Sequence, residues 1–380
     1  MILNEHRTTN DWGPHGKRVL RLLAKEGSAS RERLHRLSGL HRNLIGDTVR
    51  RLMDDGLVRM GEPQVRGRGR PQTPVTLNPK RGAVLGVAIE PGLITANRIN
   101  LLGRTINAPT TRTLGRDGHP VESAAALIRE SSTSPPLAIG VTVTGVVDIA
   151  DDLLLESSTL RGAAADLRQL RDAAGDTPLV LENDLQALAQ HWRMREKIEQ
   201  HEDVLLVRLE DGAVGAALVI QGQPHAGCVH AASEIGHTRL AIETRECYCG
   251  RCGCLERIFD SDFANDLDGK TVRLSDRITA DGDLDSPLEH ILDLVGIGIA
   301  NAVQITRPHR LLLVSQHARS SAFRKRLVHA VQREMLASFR DRVKLEWWDG
   351  ATQDRASVAA YPALALILDE QPAVKQKVPT

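Results

Sequence analysis

The sequence predicts an α/β body behind an N-terminal winged helix-turn-helix. Three observations predict it. Beyond residue 82, apolar runs of strand length alternate with helical segments. Ahead of them, two helical segments are hinged at Ser38-Gly39-Leu40 and followed by a basic strip between two short strands. Between two of the later segments, four of the five cysteines fall within eight residues, Cys247 to Cys254.

Charge separates the two parts. Residues 1–80 carry 16 Lys+Arg against 8 Asp+Glu, while the remaining residues carry 33 against 40. A basic module on a mildly acidic body points to a polyanionic partner for the module alone. No run approaches the roughly 18 apolar residues of a membrane span, and the N-terminus has no apolar signal core. A cytoplasmic location with no membrane partner is therefore expected, and in that reducing setting clustered cysteines read as metal ligands rather than disulfides.

In the module, Arg18 to Leu23 has helical apolar spacing and the helix ends near Gly27. Ser30 can cap a second helix running to about Leu37, with Leu34 and Leu37 turned inward. A third helix is expected from about His41 to Asp55, burying Leu44, Ile45, Val49 and Leu52 and stopping at Gly56. Such a helix can lie in the DNA major groove. Its exposed side offers His41, Arg42, Asn43, Asp47 and Arg50. Arg and Asn can read guanine and adenine edges, and the others can hold phosphates. Leu57 to Met60 and Pro74 to Leu77 read as strands of a wing. Between them Arg66, Arg68 and Arg70 alternate with glycines, a slim cationic strip suited to a narrow A·T-rich minor groove.

In the body, strands are expected at Ala83–Ile89, Leu137–Val143, Leu179–Asp184, Val204–Leu209, Ala216–Ile220 and Leu311–Val314, with a long helix at about Leu288–Ile305. Polar residues at strand ends are where α/β folds place ligand sites. The cysteine cluster, with His237 ten positions before it, fits a tetrahedral zinc site that orders a loop poor in apolar matter. A helix at Arg324–Arg342 offers a dimer or partner surface.

These residues converge on a known family. Cys247-x-Cys249-Gly250-x-x-Gly253-Cys254-x-Glu256, with Glu234-x-Gly236-His237 and Glu182-Asn183-Asp184 upstream, resembles the ROK family of repressors and sugar kinases. The winged helix and basic Gly-Arg-Pro linker extend the resemblance over nearly the whole chain. It implies a two-lobed, actin-like (ribonuclease H-like) sugar-kinase fold behind the winged helix-turn-helix. The domains are then 1–62 for the winged helix, 63–80 for the linker and wing, and 81–185 for the first lobe. The second lobe, 186–380, carries the zinc loop and a C-terminal return to the first.

The resemblance also implies site residues. Structural zinc falls to His237, Cys247, Cys249 and Cys254, with Cys252 at a variable position and Cys228 outside the motif. Asn183, Asp184, Glu234, His237 and Glu256 match positions that hydrogen-bond sugar hydroxyls, and Asp184 matches the kinase general base. The kinase phosphate loops are altered. Ala88-Ile89-Glu90-Pro91-Gly92-Leu93 stands in place of the first and Ala213-Val214-Gly215-Ala216-Ala217 of the second. Ser315-Gln316 replaces a late glycine pair. The expected function is a sugar-responsive operator-binding repressor, not an enzyme, acting as a homodimer or higher even oligomer. The alternatives are an active sugar kinase, and a regulator titrated by a transport-system protein with a vestigial sugar site. Which sugar it senses depends on loops such as 144–148 and 158–162, whose positions the sequence does not fix.

Overall fold

The computed structural model describes residues 12–62, 73–115, 118–131, 134–157, 164–196, 202–227, 233–240, 245–278, 283–349 and 354–368. The N-terminal module holds α1 (Gly13–Glu26), β1 (Ser28–Ala29), α2 (Arg31–Ser38), α3 (Arg42–Asp54), β2 (Val58–Met60) and β3 (Val75–Leu77). Ser30 caps α2 by accepting from the Arg33 N–H, and Gly39 closes it with φ 67°. The small sheet runs β1-β3-β2, so the strand beyond the basic strip sits between the other two. Arg66, Arg68 and Arg70 lie outside the described residues.

One expectation for this module is corrected. Leu44 does not join the buried side of α3, where Ile45, Thr48, Val49 and Leu52 are buried. It is 36% exposed and stands among the polar residues of the outer face. Ile45 takes the inward position, and its neighbour one step earlier is rotated by about 100° towards solvent.

The body begins with β4 (Val84–Glu90), β5 (Leu93–Ile99), β6 (Thr110–Thr113), α4 (Pro120–Glu130) and β7 (Ala138–Val143). It continues with β8 (Val146–Asp148), β9 (Leu153–Glu156), β10 (Ala165–Asp166), α5 (Arg168–Ala174), β11 (Leu179–Asn183) and α6 (Asp184–Glu196). The second half holds β12 (Val204–Glu210), β13 (Ala213–Ile220), β14 (Gln223–His225), α7 (Ser261–Asp268) and α8 (Ser286–Thr306). It closes with β15 (Arg310–Ser315), α9 (Ser321–Glu334), α10 (Ala337–Arg340), β16 (Lys344–Asp349) and α11 (Arg355–Leu368).

The two main sheets share one plan. Their orders are β11-β7-β4-β5-β6 and β14-β13-β12-β15-β16. In each, the first three strands form an antiparallel meander and the next two add in parallel to the first. Each sheet has its own core. The first packs on α4 and α5 through Leu127, Ile128, Leu167 and Leu170. The second packs on α7, α8 and α9 through residues such as Phe263, Ile299 and Phe323. Among the described residues, α8 alone is long and apolar enough to cross a membrane, and 56% of its apolar window is buried in this core.

Two helices join the parts. α6 packs Leu185, Leu188 and Trp192 on the free face of the second sheet. α11 returns to the first sheet, and its approach requires glycine. A Cβ on Gly86 would lie 1.8 Å from the Ala356 carbonyl oxygen, and one on Gly140 would lie 1.9 Å from that of Ala359. The far end of α11, with Leu364, Ile367 and Leu368, shares one apolar cluster with Val19, Leu20 and Leu23 of α1 and with Val49 and Leu52 of α3. The winged helix and body are thus one continuous core at this point.

The stretch Ala213 to Ala217 is not a loop. It lies inside β13, paired in register with Leu206 to Glu210 of β12, and the hairpin tip is Asp211-Gly212. Gly215 is there for packing: a Cβ would sit 2.3 Å from Leu185 Cδ1 on α6.

Candidate functional site

Three groups of residues make up the candidate site. The first is the cysteine loop. His237 ends a short 3₁₀ turn, Ile235–His237, which is pressed on β13. A Cβ on Gly236 would fall 2.0 Å from the Val214 carbonyl oxygen, so only glycine permits this seat. Cys247 donates its N–H to Arg251 at 2.7 Å, and the Gly250 N–H returns to the Cys247 carbonyl at 2.9 Å. Gly253 follows with φ 82°, a turn that brings Cys254 back beside Cys249.

One ligand atom from each of His237, Cys247, Cys249 and Cys254 falls within 4.8 Å of all the others. The Cys247 Sγ to His237 Nδ1 and Cys249 Sγ to Cys254 Sγ separations are both 3.7 Å. A tetrahedron of thiolates at zinc's bond length has edges of about 3.8 Å, so the donor set fits a zinc-sized ion. Burial pushes the Cys254 thiol up to about 12, and the neighbouring sulfurs add to the shift. Three sulfurs this close ionise together only with a cation between them. Cys252 is exposed and outside the set. Cys228 lies outside the described residues.

The second group is polar. Glu256 follows the loop on a second 3₁₀ turn and is 5% exposed. The Cys247 thiol lies 4.0 Å from its Oε1. Burial pushes the Glu256 carboxyl up to about 7, with the Glu234 charge as the next cause. Glu234 is pushed up to about 7 as well, by its protein surroundings first and then by the charges of Asp184 and Glu156. It nonetheless stays open to solvent, as a group in a concavity does. Ser233 before it holds φ 74°, a conformation that residues with a β-carbon rarely adopt. Burial lowers the His237 imidazole, while Glu156 acts in the other direction.

Asn183 is committed to the fold. Its Oδ1 accepts from the N–H groups of Leu185 at 2.8 Å and Gln186 at 3.2 Å, capping α6, and its Nδ2 donates to the Gly145 carbonyl at 2.8 Å. One amide hydrogen is left for a ligand. Asp184, Glu234, His237 and Glu256 are the remaining polar groups that the sequence singled out. Glu156, at the end of β9, joins them electrostatically. Sequence reading missed it because its strand is short and half exposed.

The third group fills the cleft beside Asp184. The Asp184 carboxylate accepts from the Arg208 guanidinium of β12. Arg355, the first residue of α11, lies with Nε 2.9 Å from Glu90 Oε1 at the tip of β4. Its Nη2 donates to both carboxylate oxygens of Glu210 at 2.6 Å, and its Nη1 stands 3.9 Å from Asp184 Oδ2. The residual cavity is about 30 Å³, lined also by Ala88, Thr142 and Thr144. That holds a water molecule and little more. Burial raises the Glu90 carboxyl, against the pull of Arg355. Arg208 and Arg355 were not singled out from the sequence. The signal was available for Arg208, a lone charge inside the apolar run Val204 to Leu209.

On the winged helix, His41, Arg42, Asn43, Asp47 and Arg50 are all exposed along α3. Arg42 pairs with Glu32 of α2 at 3.0 Å and Arg50 with Asp47 at 3.2 Å. Exposed pairs of this kind are worth well under about 1 kcal/mol and exchange readily for another anion.

The sequence profile of the ROK family matches residues 89–365. The chain is 24% identical over 315 residues to the xylose repressor of Bacillus subtilis, covering 78% of this chain and 80% of that one. It is 26% identical over 266 residues to the DNA-binding transcriptional repressor Mlc of Escherichia coli, covering 66% and 63%. Among kinases, it is 28% identical over 195 residues to the N-acetyl-D-glucosamine kinase of Aliivibrio salmonicida, covering 46% and 64%. Its fold matches the crystal structure of a ROK family transcriptional regulator homologous to Mlc, with a TM-score of 0.75, 20% identity, and coverage of 93% and 96%. It also matches a ROK family glucokinase from Streptomyces griseus bound to glucose and AMPPNP, with a TM-score of 0.60, 18% identity, and coverage of 73% and 98%. The fold is therefore the two-lobed α/β fold shared by these repressors and sugar kinases, and the chain belongs to the ROK family.

Proposed function

We propose that this protein is a sugar-responsive, DNA-binding transcriptional repressor that has no kinase activity. The observation that carries this reading is the cleft. Where a kinase of this fold would admit phosphates, Glu90, Glu210 and Asp184 are bound to Arg208 and Arg355. Two guanidinium groups are satisfied by protein carboxylates, and three carboxylates would repel a triphosphate. Pro91 at the β4–β5 tip also lacks the backbone N–H that a phosphate loop uses. Sequence relatives named as repressors support the same reading, and the fold match is to a ROK family transcriptional regulator.

In this reading Asp184, Glu234, His237 and Glu256, with one hydrogen of Asn183, hold the hydroxyls of a sugar, since such a ring demands several paired donors and acceptors. A structural zinc ion is held by His237, Cys247, Cys249 and Cys254. Such an ion would neutralise the thiolates, and the His237 ring would keep its second nitrogen for the ligand. Exposed residues of α3 read the operator. Leu44 adds an apolar tip suited to a thymine methyl. Arg66, Arg68 and Arg70 are proposed for the minor groove. A homodimer or larger even assembly would place two such helices on a two-fold operator. A protein of a sugar-transport system is a further proposed partner.

The test is footprinting on the DNA upstream of the protein's own gene, with and without a panel of unphosphorylated sugars. Protection that one sugar weakens supports the reading, and no protection anywhere defeats it. Asp184 keeps a kinase alternative in view. ATP consumption on the same panel that disappears in Asp184→Asn would establish that alternative instead.

A further inference from the structure

α11 has one end in each of the two places that a sugar-responsive repressor must connect. Its first residue, Arg355, is bound in the cleft to Glu90 of the first sheet and Glu210 of the second, within 3.9 Å of Asp184. Its last turn is in the winged-helix core, where Ile367 and Leu368 share a cluster with Leu20 and Leu23 of α1. The Lys17 ammonium of α1 also donates to the Leu366 carbonyl at 3.3 Å, a favourable cation at a helix C-terminus. The two ends belong to one helix of 14 residues, about 20 Å along its axis.

The helix is not free to absorb a displacement at its first turn. Its backbone touches the sheet at Gly86 and Gly140 with no room for a Cβ. Close-packed contacts of this kind transmit a shift instead of deforming. One internal position differs: Pro362 gives the Val358 carbonyl no helical donor. Val358 lines the cleft. The half that lines the cleft and the half that holds the winged helix therefore meet at a stretch that Gly86 and Gly140 hold against the sheet.

We propose that α11 couples the ligand pocket to the winged helix, with Arg355 as the positioning residue that reads the state of Asp184. A hydroxyl bonded to Asp184 competes with the guanidinium groups beside it. Arg355 then redistributes between Asp184, Glu210 and Glu90, which shifts the first turn of α11 and repacks its last turn against α1. This rests on the proposed function for what the ligand is, but the coupling itself is testable without ligand or DNA.

The experiment is amide hydrogen exchange on the full chain, comparing wild type with Arg355→Gln and Arg355→Lys. Coupling predicts that Arg355→Gln speeds exchange at Leu364–Leu368 and at Leu20–Leu23 of α1 by about fivefold or more, and that lysine restores much of the protection. Core amides of α8, Leu292–Val303, should not change. A response confined to residues 354–358, or one that rises equally in α8, overturns the proposal, because the first is local and the second is general loss of stability. If Arg355→Gln does not fold, Glu210→Gln frees the same guanidinium from the opposite side and must give the same pattern.

Release of DNA by D-xylose and D-glucose as probe sugars is then measured on wild type and Arg355→Lys. Propagated exchange without release by any sugar overturns the effector reading and leaves the coupling. Release without propagated exchange overturns the coupling and leaves the effector reading. With both intact, Arg355→Lys should weaken release more than it weakens sugar affinity.

Discussion

The Arg355 guanidinium, at the start of α11, meets both carboxylate oxygens of Glu210, at the end of β12, at 2.6 Å. The pair spans the cleft between the two sheets and belongs to a set of three acids and two arginines. Arg355 is only about a third exposed, so removing it strands carboxylates in a place that water reaches poorly. Arg355→Ala should cost about 1–3 kcal/mol in denaturant unfolding, whereas Glu90→Gln, which removes one acid from an acid-rich set, should cost less. Equal effects would contradict the charge balance described.

Gly86 is the closest contact of α11 with the sheet. A methyl group there would overlap the Ala356 carbonyl oxygen. Gly86→Ala should lower stability by about 2–4 kcal/mol, and DNA affinity should fall with it, because α11 also completes the winged-helix core. Retention of both by a folded Gly86→Ala protein would show that α11 sits farther from β4 than described.

The cysteine loop has little apolar matter of its own, and Cys247 and Cys254 are buried as thiols. Cys249→Ala should therefore lose metal, measured by elemental analysis of the purified protein. It should also lose sugar response, because His237 and Glu256 are placed by the loop. Cys252→Ser should lose neither. A Cys249→Ala protein that still responds to its sugar would separate the loop from the pocket.

His191 lies between the rings of Tyr361, 4.2 Å away, and Trp348, 5.2 Å away. Burial lowers it from 6.5 to about 3, and the Arg195 charge adds to this. A lowered pKa means that its contribution is present above pH 6.5 and lost as pH falls towards 3. At pH 5 this amounts to about 2 kcal/mol. His191→Phe should be less sensitive to acid over that window. Glu234 has the opposite sign: raised to about 7, its contribution is present below the ordinary carboxylate range and fades as pH rises through 7. Glu234→Gln should flatten the melting-temperature profile between pH 5 and pH 8, by a small amount because solvent reaches the group. Melting curves of the three proteins across pH separate the two effects.

On α3, Asn43 and Arg42 should behave differently. Asn43→Ala is expected to weaken operator binding by about 1–3 kcal/mol and relax one base position. Arg42→Ala should weaken binding to all sequences and lower the salt slope by about one. Loss of sequence preference from Arg42→Ala would reverse these roles.

Much of the fold was legible because its signals are local. Strands such as Val84–Glu90 are apolar runs bounded by Gly or Pro, and the turns at Gly39 and Gly56 need positive φ. The cysteine loop was legible because its ligands lie within 18 residues. What stayed hidden depends on distance in the chain. Arg355 and Glu90 are 265 residues apart, and neither carries a pattern that announces the other. β16, Lys344–Asp349, has charged and aromatic residues in place of an apolar run, since it is an edge strand. Leu44 was misplaced because it stands at the edge of the apolar stripe of α3, one step from Ile45, and the sequence does not say how wide that stripe is. Asn183 shows the limit at the site itself: its polar side chain suggested a ligand contact, but most of its bonding capacity caps α6.

The central claim is that a sugar in the body governs DNA binding by the winged helix, with no phosphate transferred. Fluorescence anisotropy of the protein on its own upstream DNA, titrated with unphosphorylated sugars in the presence of zinc and in the absence of ATP, tests it most directly. The account predicts that at least one sugar changes DNA affinity by about tenfold or more, and that the change is lost in Cys249→Ala. Tight DNA binding that no sugar alters, or a response that appears only when ATP is added, would contradict it.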